Sequence, residues 1–142
     1  EPPSPAKKLP QKDQTPNIRT LDMYNIIITA KERSTNMENS IFITITGGNN
    51  YFGKAPFKVG RIFKLEKEPD NLHDFEAIKV SHELIGTVGY VANSVHTVYE
   101  GTYSAGRLYD KIENVAYAEI MFITHSSAIA RLLPDTEIPE KL

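Results

Sequence analysis

The sequence predicts a mainly β fold, a small barrel or sandwich of five or six short strands with one or two short helices. From Ile41 onward, short runs of β-branched and aromatic residues recur between clusters of Gly, Pro, Asn and Asp. The chain has 142 residues, of which 40% are hydrophobic. This length and composition are typical of one globular domain that buries its own core.

Four stretches predict the strands. Residues 41–46 read IFITIT, in which isoleucine alternates with Phe and Thr at the period of a half-buried strand. Residues 57–65 predict a second strand, because Phe57, Val59, Phe63 and Leu65 share one parity, with Arg61 as the exception. The runs EAIKV and IGTVGYV, separated by SHEL, predict a hairpin. The run ENVAYAEIMFIT predicts the last strand of the series.

Two serines predict the short helices between the hairpin and the last strand, because serine is a favoured N-cap residue. A helix capped by Ser94 would end near Gly101, and a helix capped by Ser104 would run to Asp110.

The predicted domain covers residues 41–133. Residues 1–20 hold five of the 9 prolines together with several lysines, a composition that predicts a flexible N-terminal tail. Residues 21–40 contain the run MYNIIITAK, an uncertain strand, followed by a polar linker. Residues 134–142 are predicted to form a C-terminal tail.

Composition excludes several function classes. The chain has no cysteine, which rules out disulfides, thiolate zinc sites and cysteine nucleophiles. The 4 histidines show no metal-ligand spacing, and no Ser-His-Asp arrangement or carboxylate pair stands out. We therefore expect no enzyme activity, no metal and no cofactor.

Charge and hydropathy limit the classes of partner that we expect for the chain. No apolar run approaches the roughly 18 residues that span a bilayer, and no basic and apolar leader is present, so we expect a cytoplasmic protein without a membrane partner. The net charge of −2 and pI of about 6.1 weigh against a protein that coats nucleic acid by bulk electrostatics. A small pocket that holds one nucleic-acid end remains compatible with them.

The stretch GGNNYFGKAP falls one residue short of the phosphate-binding pattern G-x-x-x-x-G-K-[ST], counted from Gly48. Ala55 replaces the hydroxyl that would ligate Mg²⁺, and Pro56 precedes a run with strand period where a helix is needed. The match therefore does not indicate nucleotide hydrolysis. Tyr51 and Phe52 at the centre of the stretch either pack under the loop, which the sequence slightly favours, or face a ligand.

Three motifs follow one another at a specific spacing. Paired aromatics precede Gly53, residues 68–80 fit the form EP-x-N-x-x-D-x-x-A-I-x-V, and residues 86–91 fit G-x-x-G-Y-V. This arrangement resembles the HIRAN domain family, which is found at the front of helicase-like transcription factors and as stand-alone bacterial proteins. The chain is similar to the stand-alone type in architecture, and the resemblance covers roughly residues 41–124. The sequence departs from the family pattern at His73, where tyrosine is frequent.

The resemblance implies a small OB-like or SH3-like β-barrel of about six strands with short helices. It implies a non-catalytic module of DNA repair that binds single-stranded DNA at its 3′ end. Aromatics would stack on the terminal bases, and Asp74 would accept the free 3′-hydroxyl. The candidate nucleic-acid-binding residues are Tyr51, Phe52, Lys54, Asn71, His73, Asp74, Arg107 and Tyr109.

Other interpretations stay open at these positions. Asp74 is also typical of a turn residue whose carboxylate accepts backbone N–H groups. The run SAGRLYDK either presents Arg107 and Tyr109 to a ligand or forms an exposed cap with a buried tyrosine. For the whole chain, the alternative function is a protein-interaction module that binds no DNA and docks its partner through a barrel edge or the aromatic loop.

Overall fold

A computed structural model of the protein describes residues 39–140, and the predictions for residues 1–38 lie outside this range. The described part is mostly β, as the sequence predicts. Its elements are β1 (Phe42–Thr46), β2 (Ile62–Lys67), β3 (Ile78–His82), β4 (Gly86–Val91), α1 (Ala105–Tyr109), β5 (Val115–Ile123) and β6 (Ala128–Leu132), with 3-10 turns at Gly48–Asn50 and Asp135–Glu137.

The six strands form a closed antiparallel barrel in the order β1-β4-β3-β2-β5-β6, and β6 pairs with β1 to close it. Three hairpins connect strands that are neighbours in sequence, β2 to β3, β3 to β4 and β5 to β6. The segment between β4 and β5 contains α1 and returns along β1, where Tyr103 bridges to Ile43. Closure leaves no unpaired sheet edge among these six strands.

The barrel interior is filled by the alternating residues that the sequence pattern selects. Ile43 and Ile45 of β1 and Phe63 and Leu65 of β2 are at most 1% exposed. Each such side chain contributes about 1.5–3 kcal/mol when it leaves water. Leu108 of α1 is fully buried against the same core, so the helix is fixed to the barrel by packing.

The predicted second strand is wrong in its first half. Residues 51–56 and 59–60 form turns, and β2 begins only at Ile62. Phe57 is buried between these turns, whereas Val59 is 68% exposed, so their shared parity does not reflect a strand. Gly60 adopts φ 91°, in the left-handed region, and this turns the chain into β2.

One of the two predicted helices forms. The side chain of Ser104 caps α1 by accepting a hydrogen bond from the Arg107 backbone N–H, as predicted. Ser94 instead begins a single hydrogen-bonded turn, in which the backbone N–H groups of Thr97 and Val98 donate to its carbonyl. The helix predicted from Ser94 is therefore wrong.

Strand β6 was not predicted. Four consecutive residues, Ala128, Ile129, Ala130 and Arg131, are all buried, so the strand shows no inside-outside alternation. In the segment beyond it, the Glu137 carboxylate accepts a 2.7 Å hydrogen bond from Arg131.

The two glycines of the IGTVGYV motif are needed for different structural reasons. Gly86 has φ 95° and closes the β3–β4 hairpin in a conformation that side chains rarely adopt. Gly89 lies where β4 approaches β1, and a Cβ at this position would lie 2.5 Å from the carbonyl oxygen of Thr46. Gly86 therefore serves the hairpin, and Gly89 allows the close approach of β4 to β1.

Within residues 39–140, no helix is both long and apolar enough to cross a membrane.

Candidate nucleic-acid interface

The loop between β2 and β3 is folded around the side chain of Asn71. Its Oδ1 accepts hydrogen bonds from the backbone N–H groups of His73 at 2.9 Å and Asp74 at 3.1 Å. Its Nδ2 donates to Glu68 Oε1 at 3.1 Å. Asn71 thus sets the shape of the loop that presents Asp74, and most of its hydrogen-bonding capacity is used internally.

Asp74 connects this loop to α1. Its Oδ1 accepts from the backbone N–H of Glu76 at 2.9 Å, and its Oδ2 accepts from Asn93 Nδ2 at 2.8 Å. Asn93 Oδ1 in turn accepts from the backbone N–H of Gly106 at 2.9 Å. A carboxylate has about four acceptor positions, so Asp74 retains capacity for a further donor although it also serves as a turn residue.

A second branch of the network reaches the aromatic loop. The Tyr90 hydroxyl donates to Glu68 Oε1 at 2.8 Å, on the same oxygen that Asn71 contacts. The rings of Tyr90 and Tyr51 are 6.4 Å apart between centroids and tilted by 39°. Tyr51 is therefore connected to the Asn71 loop through Tyr90 and Glu68.

The protonation states in this branch follow from its contacts. Burial raises the pKa of Glu68, but the hydrogen bonds from Tyr90 and Asn71 and the charge of Lys79 outweigh it and hold the pKa below its usual value. Burial and the neighbouring Glu68 raise the pKa of Tyr90 well above that of a free phenol. At neutral pH Glu68 is ionised and Tyr90 is protonated, which is the state that the hydrogen bond requires.

The aromatic loop exposes its rings. Tyr51 is 42% and Phe52 53% exposed, so the packed interpretation of this pair is wrong. The loop is held by its own backbone, in which the N–H groups of Tyr51 and Gly53 both donate to the Gly48 carbonyl. The segment is a sequence of turns, in contrast to the helix start of a phosphate-binding loop.

The other predicted residues lie at different distances from this network. His73 is exposed beside Asp74. Arg107 follows Gly106 on α1, and its guanidinium lies 4.0 Å above the Tyr103 ring. Tyr109 is half-buried against the core, with Lys67 Nζ 4.4 Å from its ring centroid. Lys54 donates from Nζ to the Thr124 carbonyl oxygen at 3.2 Å, outside the hydrogen-bonded network.

Sequence reasoning missed Glu68, Tyr90 and Asn93 as members of the site. Glu68 and Tyr90 belong to the recognised motifs, but nothing in the sequence pairs two residues that are 22 positions apart. It also missed Phe75, which directly follows Asp74 and is 79% exposed. The hydrophobic pattern of the sequence does not predict that this aromatic side chain is exposed beside the candidate acceptor.

Across the described part of the chain, no group of three or more His, Asp or Glu side chains is arranged to hold a metal ion. The described site has two exposed rings, of which Tyr51 contacts Tyr90 and through it a hydrogen-bonded polar loop. This loop is connected by hydrogen bonds through Asn93 to the start of α1.

No family model matches the chain, and no curated protein matches it in sequence. Among solved structures, the crystal structure of the HIRAN domain of human HLTF is similar to this chain, with a TM-score of 0.48 and 19% identity over 66% of this chain and 72% of that one. The match is structural, and it names the same family that the sequence motifs resemble.

Proposed function

We propose that the chain is a non-catalytic nucleic-acid-binding module that recognises the 3′ end of single-stranded DNA. The observation that carries the proposal is a path of contacts from an exposed ring to the loop that carries a carboxylate, made of one ring contact followed by hydrogen bonds. The path runs from Tyr51 through Tyr90, Glu68 and Asn71 to Asp74. An aromatic platform and a single acceptor held by one network suit a ligand that has both a base and a hydroxyl.

The stacking component is supplied by ring faces. A base stacked on an aromatic side chain contributes about 1–3 kcal/mol, and any base can do so because each has a π-face. Tyr51 and Phe52 expose about half of their surface, at 42% and 53%. Binding is therefore expected to be tolerant of sequence.

The end-specific component is supplied by Asp74. An ionised carboxylate is an acceptor only, so it takes a hydrogen bond from a 3′-hydroxyl and repels a 3′-phosphate. Asn93 and the Glu76 backbone already orient both carboxylate oxygens, which limits the ordering that binding would require. This arrangement favours an unmodified terminus.

Charge sets the expected affinity. Glu68, Asp74 and Glu76 lie in the loop that forms the site, while Arg107 is an exposed cation on α1 that follows Gly106, whose backbone N–H donates to Asn93. A guanidinium has five donors in a planar fork, and stacking on Tyr103 leaves its edge accessible to phosphate. With few cations near the site, we expect weak binding that salt reduces further.

The test is a fluorescence anisotropy titration of the chain against labelled single strands of one sequence. Three ends are compared, a free 3′-hydroxyl, a 3′-phosphate and a terminus closed into a hairpin. We expect the 3′-hydroxyl strand to bind tightest. Equal affinity for all three ends, or no binding at physiological salt, would contradict the proposal.

A second candidate function is a protein-interaction module. Leu72 is 95% and Phe75 79% exposed, on the two sides of Asp74, and exposed apolar residues of this kind also occur in protein interfaces. The barrel is closed, so a partner would use this loop or the Tyr51 loop rather than a strand edge. Capture of one partner that survives nuclease treatment and is lost in Leu72→Ser/Phe75→Ser would favour this candidate.

A further inference from the structure

A cleft of about 390 Å³ lies on the side of the aromatic loop that carries Lys54. The turn of residues 47–54 forms one wall, and residues 96–99 together with Ser126 and Ser127 form the other. The described residues that line the cleft include Lys54 and His96 but no Asp or Glu. The cleft therefore has basic and neutral polar groups without a carboxylate to oppose an anion.

Lys54 has unused donors in this cleft. Its ammonium donates to the carbonyl oxygen of Thr124 at 3.2 Å, and none of the ion pairs found within residues 39–140 includes it. An ammonium has three donors. At least one N–H group and the full charge therefore stay available to a ligand.

Hydroxyl groups converge on Tyr99 on the opposite wall. Hydrogen bonding from Thr124, then from Ser127 and Ser126, lowers the pKa of the Tyr99 phenol, and burial opposes this shift. A lowered phenol pKa means that the surroundings stabilise negative charge on the oxygen. Of these groups, Tyr99, Ser126 and Ser127 line the cleft, and the Ser127 hydroxyl is already hydrogen-bonded to Thr124.

The backbone of Tyr99 is fixed by two threonines. The N–H of Tyr99 donates to Thr44 Oγ1 at 3.2 Å, and the hydroxyl of Thr102 donates to the Tyr99 carbonyl oxygen at 2.7 Å. Thr44 is fully buried in β1, and its hydroxyl lies 2.9 Å from that of Thr102. This wall of the cleft is therefore ordered before any ligand binds.

We propose that this cleft binds a backbone phosphate of the single strand, with the Lys54 ammonium and the hydroxyls of Tyr99 and Ser126 as donors. The inference rests on the proposed function and adds the path of the strand to it. Asn50 lines the cleft and directly precedes Tyr51. A strand whose base stacks on Tyr51 thus carries a neighbouring phosphate towards Lys54.

The first test uses inorganic phosphate and the ¹⁵N-labelled chain. We expect the amide signals of Gly48, Asn50 and Ser126 to shift on titration, and the shifts to disappear in Lys54→Gln. Lys58→Gln is the matched control, because Lys58 is exposed four residues away and does not line the cleft. The absence of shifts in the wild-type chain, or their persistence in Lys54→Gln, would overturn the assignment.

The second test separates a strand phosphate from a free phosphate. The affinity for a labelled oligothymidine is measured at several salt concentrations, and Lys54→Gln should lower the slope of log K against log salt by about 0.7. Lys58→Gln should keep the wild-type slope. An unchanged slope in Lys54→Gln would overturn the assignment of the cleft as a phosphate site but would leave the proposed function standing. If no strand binds at all, the proposed function fails, and the strand assignment of the cleft fails with it.

Discussion

The Tyr90 hydroxyl donates a 2.8 Å hydrogen bond to Glu68 Oε1, and this pair joins the two halves of the candidate interface. On one side the Tyr90 ring lies 6.4 Å from that of Tyr51. On the other side Glu68 accepts from Asn71, whose amide shapes the loop that carries Asp74. The Lys79 Nζ lies 3.7 Å from Glu68 Oε2 and balances the charge of this carboxylate. The pair therefore holds an aromatic platform and a polar loop in one geometry.

Glu68→Gln should reduce the acid sensitivity of the fold. The pKa of Glu68 is lowered in the folded chain, so its ionisation stabilises the fold above the unfolded pKa of about 4.3, and this stabilisation is lost as pH falls through the lower folded pKa. Urea unfolding measured across the acidic range should give a flatter curve of stability against pH for Glu68→Gln. Tyr90→Phe removes one of the donors to Glu68, so its curve of stability against pH should lie between those of Glu68→Gln and the wild type. Identical curves for all three would contradict this account.

Tyr51→Leu should weaken single-strand binding by about 1–3 kcal/mol, or roughly 5- to 150-fold in Kd, because it removes one stacking face. Fluorescence anisotropy with an oligothymidine measures the effect. Phe122→Leu is the control, since Phe122 is another exposed aromatic, at 60%, but lies on β5 outside the site. Equal losses in the two variants would show that general surface hydrophobicity, and not stacking at Tyr51, supports binding.

Gly89→Ala should destabilise the barrel by about 1–3 kcal/mol, as overpacking does at other closely packed positions. The added Cβ would lie 2.5 Å from the Thr46 carbonyl oxygen and 3.3 Å from a methyl of Ile45. A backbone atom cannot move aside as a flexible side chain can, so β1 and β4 must separate. Chemical denaturation measures the change, and wild-type stability in this variant would contradict the proposed role of Gly89 in barrel closure.

Glu137→Gln should cost about 1–3 kcal/mol, the range for hydrogen bonds to charged groups and for buried groups that lose a partner. Arg131 is 7% exposed, and its guanidinium donates to Glu137 at 2.7 Å and to Glu119 at 3.3 Å. In this variant, Glu119 is the carboxylate that still pairs with Arg131. Glu140→Gln, at an exposed position of the same segment, should be neutral in the same denaturation experiment. A neutral Glu137→Gln would contradict the expected contribution of this ion pair.

The parts of the fold that the sequence predicts are those with a local signal. The period of residues 41–46 predicted β1, and Ser104 predicted the start of α1, because both depend on neighbouring residues. Strand β6 lacks such a signal, since its two faces are both covered and two of its residues are alanines of low β propensity. Phe57 misled the prediction because it is buried in the core although it lies outside any strand.

In the candidate site, too, the sequence predicted the residues that carry a local signal and missed those that do not. The motif spacing identified Asn71 and Asp74 and the aromatic pair around Tyr51. It could not identify the partners Tyr90 and Asn93, because the pairing of β3 with β4 brings them to the loop from 22 and 19 positions away along the chain. Nor could it predict that Lys54 lies beside Thr124, which is 70 positions further along in the turn between β5 and β6. These contacts depend on the topology of the whole barrel.

The position of the carboxylate can be exchanged without loss of the hydrogen bond. Asp74 Oδ2 accepts from Asn93 Nδ2, and Asn93 Oδ1 accepts from the Gly106 backbone. In the double variant Asp74→Asn/Asn93→Asp, the new amide donates to the new carboxylate, which still accepts from Gly106. Net charge and the pairing are preserved, and only the acceptor offered by position 74 changes. We expect the double variant to fold, and thermal unfolding is the measurement that checks it.

The most direct test of end recognition is the ratio of Kd values for strands that end in a 3′-phosphate and in a 3′-hydroxyl, measured in the wild type and in this double variant. A hydrogen bond to a charged group contributes about 1.5–3 kcal/mol, so the wild type should prefer the 3′-hydroxyl by roughly 10- to 150-fold. The double variant should fold normally, keep its binding through Tyr51 and lose most of that preference. A folded double variant with the full wild-type preference would contradict the role of Asp74 as the acceptor.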